Sequence, residues 1–201
     1  MGKGARYRIL GPLEVLDESD EPVALGRRES AVLGVLLLDA NRAVSRDRLI
    51  EAVWGDRPPD TAVNALQVHI SKLRKLLGGA TGLDGPLRTQ APGYLLSTSS
   101  GELDVERFKD LVDSSGAEDS AERVAAGLTE ALDLWRGPVL DGLDIGPLIQ
   151  PEISRLEEMR LAALERRIDA DLMLGRHREC VGELDSAGVI HFGPPEGDRH
   201  R

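Results

Sequence analysis

Residues 61–77, TAVNALQVHISKLRKLL, bring amide, imidazole, ammonium and guanidinium groups together at helical intervals. At 100° per residue, Val63, Leu66, Ile70, Leu73 and Leu77 fall on one apolar face. That turns Thr61, Asn64, Ala65, Val68, Lys72 and Lys75 outward and leaves His69 and Arg74 at the margins. The outward set suits the edges of DNA bases. Lys72 can donate to guanine O6 or N7, Asn64 can pair with adenine, and Ala65 or Val68 can touch a thymine methyl. His69, Arg74 and Lys75 suit phosphates. The same charges could equally decorate an ordinary solvated face, so the neighbouring elements must decide.

Upstream, ESAVLGVLLLDA repeats apolar residues at helical spacing from Arg27 and stops at Asn41-Arg42, which predicts a first helix. Ser45 is placed to cap a short second helix whose Leu49, Ile50 and Val53 form a stripe ending at Gly55. The prolines of DRPPD cannot continue it, so a third helix begins at Asp60 or Thr61 and runs over residues 60–77, ended by Gly78-Gly79. Residues 87–98, LRTQAPGYLLST, then read as two strands about Ala91-Pro92-Gly93. Three helices with a tight second connection, followed by a hairpin, make a winged helix-turn-helix that inserts its third helix in the major groove. In the wing, Arg88 and Gln90 precede the tip and Tyr94 follows it, so a cation, an amide and a phenol are offered to the backbone or minor groove. Arg46 starts the second helix, where helix N-termini meet phosphates, and ranks above Tyr94 as a phosphate contact. YRILGPLEVL near the N-terminus predicts a small additional sheet.

The net charge of −10 argues against nucleic acid only as an average. Residues 1–100 carry 13 Lys and Arg against 12 Asp and Glu, whereas residues 101–201 carry 12 against 23, which predicts two parts with different partners. Cys180 is the sole cysteine, so no internal disulfide or cysteine-rich metal site can form. The histidines at 69, 177, 191 and 200 lack metal-ligand spacing, and no Walker loop, G-x-S-x-G or H-E-x-x-H is present. No catalytic residue, metal or cofactor is therefore expected, and enzymatic function is disfavoured. The apolar runs are too short to span a bilayer, and a cytoplasmic location is expected.

Beyond Gly101 the texture becomes helical and acidic, with helices expected over residues 104–112, 120–135, 151–174 and 176–185 and a break at GPVLDGLDIGP. Gly at the helical turns suggests tetratricopeptide-like packing without a strict 34-residue repeat. Trp54 and Trp135 are expected to be core residues at helix ends. The fold expected is mainly α with small β: a winged helix over residues 1–100, a tetratricopeptide-like helical domain over 101–187, and a disordered tail over 188–201.

LGPLEVL, the run from ALGRRESAVLGVLLL through WGDRPPDTAVNALQVHISKLRKLLG, and RTQAPGYLL closely resemble the Streptomyces antibiotic regulatory protein family, with its OmpR-type winged helix. LDVERF, ALDLWRGPVLDGL and ISRLEEMRLAALERRIDADLMLGRH resemble that family's bacterial transcriptional activation domain. The resemblance implies an activator of secondary-metabolite genes that binds direct repeats of double-stranded DNA as a side-by-side homodimer and recruits RNA polymerase. It places Val68, His69, Lys72, Arg74 and Lys75 where OmpR-type recognition helices touch DNA, and Gln90 where some relatives carry a wing arginine. It also implies further helices where GVIHFGPPEGDRHR stands, so an incomplete activation domain is expected. A tetratricopeptide-like interaction scaffold is the competing reading. It leaves the LRK cations and the wing unexplained.

Overall fold

The computed structural model describes residues 6–17, 19–77, 85–116 and 120–177. The expected helix over 176–185, the tail, Cys180 and Gly78-Gly79 lie outside them, apart from Arg176 and His177. The described chain is mainly helical with two small sheets, as the sequence predicts.

Strands β1 (Tyr7–Arg8) and β2 (Glu14–Val15) form the antiparallel N-terminal ribbon. Helix α1 (Arg27–Leu38) is followed by β3 (Ala43–Ser45), α2 (Arg46–Trp54) and α3 (Ala62–Leu76). Strands β4 (Leu87–Gln90) and β5 (Gly93–Leu96) form the wing. The order β3-β5-β4 makes the wing three-stranded. The sequence reading assigns no strand to Ala43–Ser45, because three residues are too few to show alternation.

Local chemistry explains the helix ends. Ser45 Oγ accepts from the Arg48 amide at 3.1 Å and caps α2. Gly55 closes that helix at φ 61°, a left-handed conformation that costs glycine little. Helix α3 begins at Ala62, later than expected. Thr61 occupies its cap position without a side-chain hydrogen bond. In its first turn Ala62 is buried and Val63 is 48% exposed, correcting the inward placement of Val63. Leu66, Ile70, Leu73 and Leu77 are buried as expected.

Three longer elements build the second half: α4 (Asp104–Ser114), α5 (Ala121–Leu132) and α6 (Gln150–Met173), with α5 packed against both others. Helix α5 stops short of Trp135, whose ring lies edge-on to Phe108 with centroids 5.3 Å apart. Trp135 is a core residue and Trp54 is half-buried.

The two halves share one continuous core. The Asp104 carboxylate, 2% exposed, accepts from the Ile9 amide at 2.9 Å and the Leu10 amide at 3.0 Å. The segment 136–149 acts as a strap. Its Arg136 amide donates to Leu10 O at 2.7 Å, its Leu140 amide to Ile9 O at 3.0 Å, and its Gly146 amide to Ala52 O at 2.7 Å. A Cβ at Gly34 of α1 would lie 3.2 Å from Leu143 and 3.3 Å from Leu140, so the strap uses the groove that this glycine leaves. Helix α1 is therefore buried almost all round, including Leu33 and Leu37.

Candidate nucleic-acid interface

With Leu66, Ile70 and Leu73 fixed against the core, the exposed side of α3 runs through Asn64, Gln67, Val68, Ser71, Lys72 and Lys75. These residues lie at i, i+3, i+4, i+7, i+8 and i+11, one stripe along the helix. Gln67 and Ser71 complete it and were missed, although the helical wheel that exposes Asn64 and Val68 also exposes them. Val68 is 54% exposed, an apolar group held between polar ones. Thr61 is exposed just before the helix, whereas Ala65 is half-buried.

The marginal residues turn inward. Arg74 donates through Nε to Leu87 O at 3.0 Å and through a terminal nitrogen to Thr89 Oγ1 at 2.8 Å. Its guanidinium thus staples α3 to β4. His69 Nδ1 lies 3.0 Å from Glu29 Oε1, and its ring sits 6.1 Å from that of Trp54. Lys72 differs: its Nζ also lies 3.0 Å from Glu29 Oε1, yet its side chain is 58% exposed.

Glu29, in the first turn of α1, is the acid beneath this face. Burial pushes its pKa up, but hydrogen bonds from His69, Lys72 and its own backbone amide outweigh that effect and hold it at about 2. The group is ionised at neutral pH and can only accept, so His69 Nδ1 donates to it. The sequence signal for Glu29 is its place three residues after Gly26, the cap of α1, where a capping-box acid stands.

The wing brings a second group together. In one row of the sheet Ser45, Gly93 and Gln90 are partners, and a Cβ at Gly93 would meet Val44 O at 2.0 Å and the Arg46 amide at 2.8 Å. Glycine is what lets β5 close on β3, setting exposed Arg46 at the end of the row that holds exposed Gln90. Arg88 is exposed and donates to Ser97 Oγ at 3.3 Å. Tyr94 is only 4% exposed, between Val44 and Thr89 in register. Its ring is a core group, which corrects its assignment as a wing contact; the spacing of two from buried Leu96 was the available signal.

Comparison with known proteins decides the family. Residues 20–96 match the family described as "Transcriptional regulatory protein, C terminal", and residues 103–191 match the "Bacterial transcriptional activator domain". Regulatory protein DnrI of Streptomyces peucetius is 34% identical, over 92% of this chain and 72% of its own length. This chain belongs to the Streptomyces antibiotic regulatory protein family.

Other members set the scale. Regulatory protein AfsR of Streptomyces coelicolor is 35% identical over 92% of the chain but only 18% of its own length. Transcriptional regulatory protein EmbR of Mycobacterium tuberculosis is 35% identical over 92% of the chain and 49% of its length. A solved structure of M. tuberculosis EmbR, in complex with a low-affinity phosphopeptide, superposes with a TM-score of 0.81 at 34% identity, covering 92% of this chain and 50% of that one. The chain thus spans most of DnrI, about half of EmbR and under a fifth of AfsR. As a family member it combines a winged helix with a helical second half that matches the activator-domain family. No helix among the described residues is long and apolar enough to cross a membrane.

Proposed function

We propose that this chain activates secondary-metabolite genes by laying α3 in the major groove of promoter DNA while its helical half contacts RNA polymerase. The observation that carries the reading is the unbroken exposed stripe of Asn64, Gln67, Val68, Ser71, Lys72 and Lys75, beside a wing that adds Arg46, Arg88 and Gln90. Amides and ammonium groups at that spacing suit base edges, and Val68 suits a thymine methyl. Thr61, Lys75, Arg46 and Arg88 suit the sugar-phosphate backbone. His69 acts behind this face through Glu29. The functional division falls near residue 100, and two chains sit side by side on direct repeats. The exposed side of α6, through Glu158, Leu161, Glu165, Asp169 and Leu172, offers polymerase a mixed acidic and apolar surface.

Selection from a random duplex pool tests the DNA half. The expected product carries two copies of one short sequence in the same orientation, about 10–10.5 bp apart centre to centre, with two chains per duplex. Unenriched or inverted sequences would contradict it. Charge reversal at Glu165 and Asp169 tests the polymerase half, with DNA binding retained and transcription in vitro lost. Undiminished transcription would remove that surface from the proposal.

A further inference from the structure

The exposed side of α3 carries a charge arrangement that DNA recognition alone does not require. Lys72 is the one cation of the exposed stripe that is paired with a carboxylate, and that carboxylate belongs to another helix. Glu29 is 7% exposed, so this is no surface pair between two long flexible chains. The Glu29 carboxylate accepts from its own backbone amide and folds back over the start of α1, where a Cβ at Gly26 would fall 2.3 Å from Oε2. From the side, His69 Nδ1 meets the same Oε1 that Lys72 meets, each at 3.0 Å. His69 is in turn backed by Trp54, over which the Arg28 guanidinium lies at 5.6 Å. Gly26, Glu29, Lys72, Lys75 and Leu76 border an open depression of about 390 Å³, so a ligand lying along α3 reaches Lys72 and Lys75 from solvent.

Non-specific affinity for duplex DNA comes almost entirely from neutralising phosphates. An ammonium already neutralised by a rigid carboxylate contributes little to that, and its reach is limited to acceptors near the anchored position. A free Lys, by contrast, is a mobile point charge that any phosphate satisfies. We infer that Glu29 is a specificity-determining positioning residue: it tethers Lys72, suppresses its use on arbitrary phosphates, and presents it to one base-edge acceptor. The inference deepens the proposed reading of α3 and depends on it. Lys75, in the same stripe, supplies the unrestrained charge.

The test is Glu29→Gln in the full chain, with affinities for a selected site and for unrelated duplex measured across a salt series. Gln is isosteric and still accepts from Lys72, but the charge is gone. Binding to unrelated duplex is expected to tighten and its log–log salt slope to steepen by about 0.9, the increment for one added phosphate contact. The ratio of specific to unrelated affinity is expected to fall about fivefold, the lower end of what one base contact carries. Glu29→Asp, which keeps the charge, is expected to leave the slope at the starting value. In a Lys72→Gln background the Glu29→Gln change should have no effect on slope or ratio. An unchanged slope, or equal weakening on both DNAs, overturns the inference and reduces Glu29 to a packing residue. Persistence of the effect without Lys72 overturns it too. Failure of the unmodified chain to prefer any sequence overturns the reading of α3 itself, a result distinguishable from all of these.

Discussion

The outward stripe of α3 and the seam between the two halves are built on opposite principles. Along the stripe, side chains point to water and only Lys72 is restrained. In the seam, the Ile9 and Leu10 amides just after β1 are closed by Asp104 and those of the strap by carbonyls, and Gly34 admits Leu140 and Leu143 into contact with α1. Side chains of the stripe are left to solvent, whereas the backbone amides that join the halves are hydrogen-bonded within the protein. Arg48 extends the seam: two residues from exposed Arg46, it pairs with Asp39 at 3.3 Å and also with Glu152 of α6. The start of α2 is thereby tied to the helical half. The halves are therefore poorly separable by truncation, because deleting residues 101–201 would strip Asp104 from the Ile9 and Leu10 amides and bare one side of α1.

Breaking the seam should have the largest effect. Asp104→Ala leaves two buried amides without an acceptor, and a loss of roughly 2–3 kcal/mol is expected in chemical denaturation. Sequence preference on DNA at low temperature should persist. Gly34→Val overpacks the strap contact and should cost about 1–3 kcal/mol by the same measurement, again without altering preference among DNA sites. An altered preference in either variant would erase the contrast between the regions.

The acid beneath α3 sharpens the contrast through pH. The Glu29 pKa is depressed from 4.5 to about 2, so its contribution to stability is fully present above about pH 4.5 and is lost as pH falls from there towards 2. Denaturation midpoints of the unmodified chain should fall through that window more steeply than those of Glu29→Gln. Parallel curves would remove Glu29 from the account of acid stability.

The stripe was legible because helical period is a strong signal over fifteen residues, and Asn64, Val68, Lys72 and Lys75 follow from it without tertiary information. Margins are where that reasoning stops. Arg74 and His69 sit at the edge of the wheel, and only β4 and α1 determine that both turn inward. Val63 and Ala62 lie three and four residues before Leu66, so period alone permits either to be buried, and it is Ala62 that faces the core. The seam was not legible at all. GPVLDGLDIGP has no period, and its role depends on groups such as Ile9 and Ala52, far earlier in the chain. Family resemblance supplied the presence of a second helical half, but not its sharing of a core with the first.

If α3 reads bases through its exposed stripe, Lys72→Ala must weaken binding to a selected site more than binding to unrelated duplex, with the unmodified chain and the variant compared at one salt concentration. The variant is expected to lose roughly 1–3 kcal/mol on the site and distinctly less on unrelated DNA. Equal losses on both, or none on either, would contradict it.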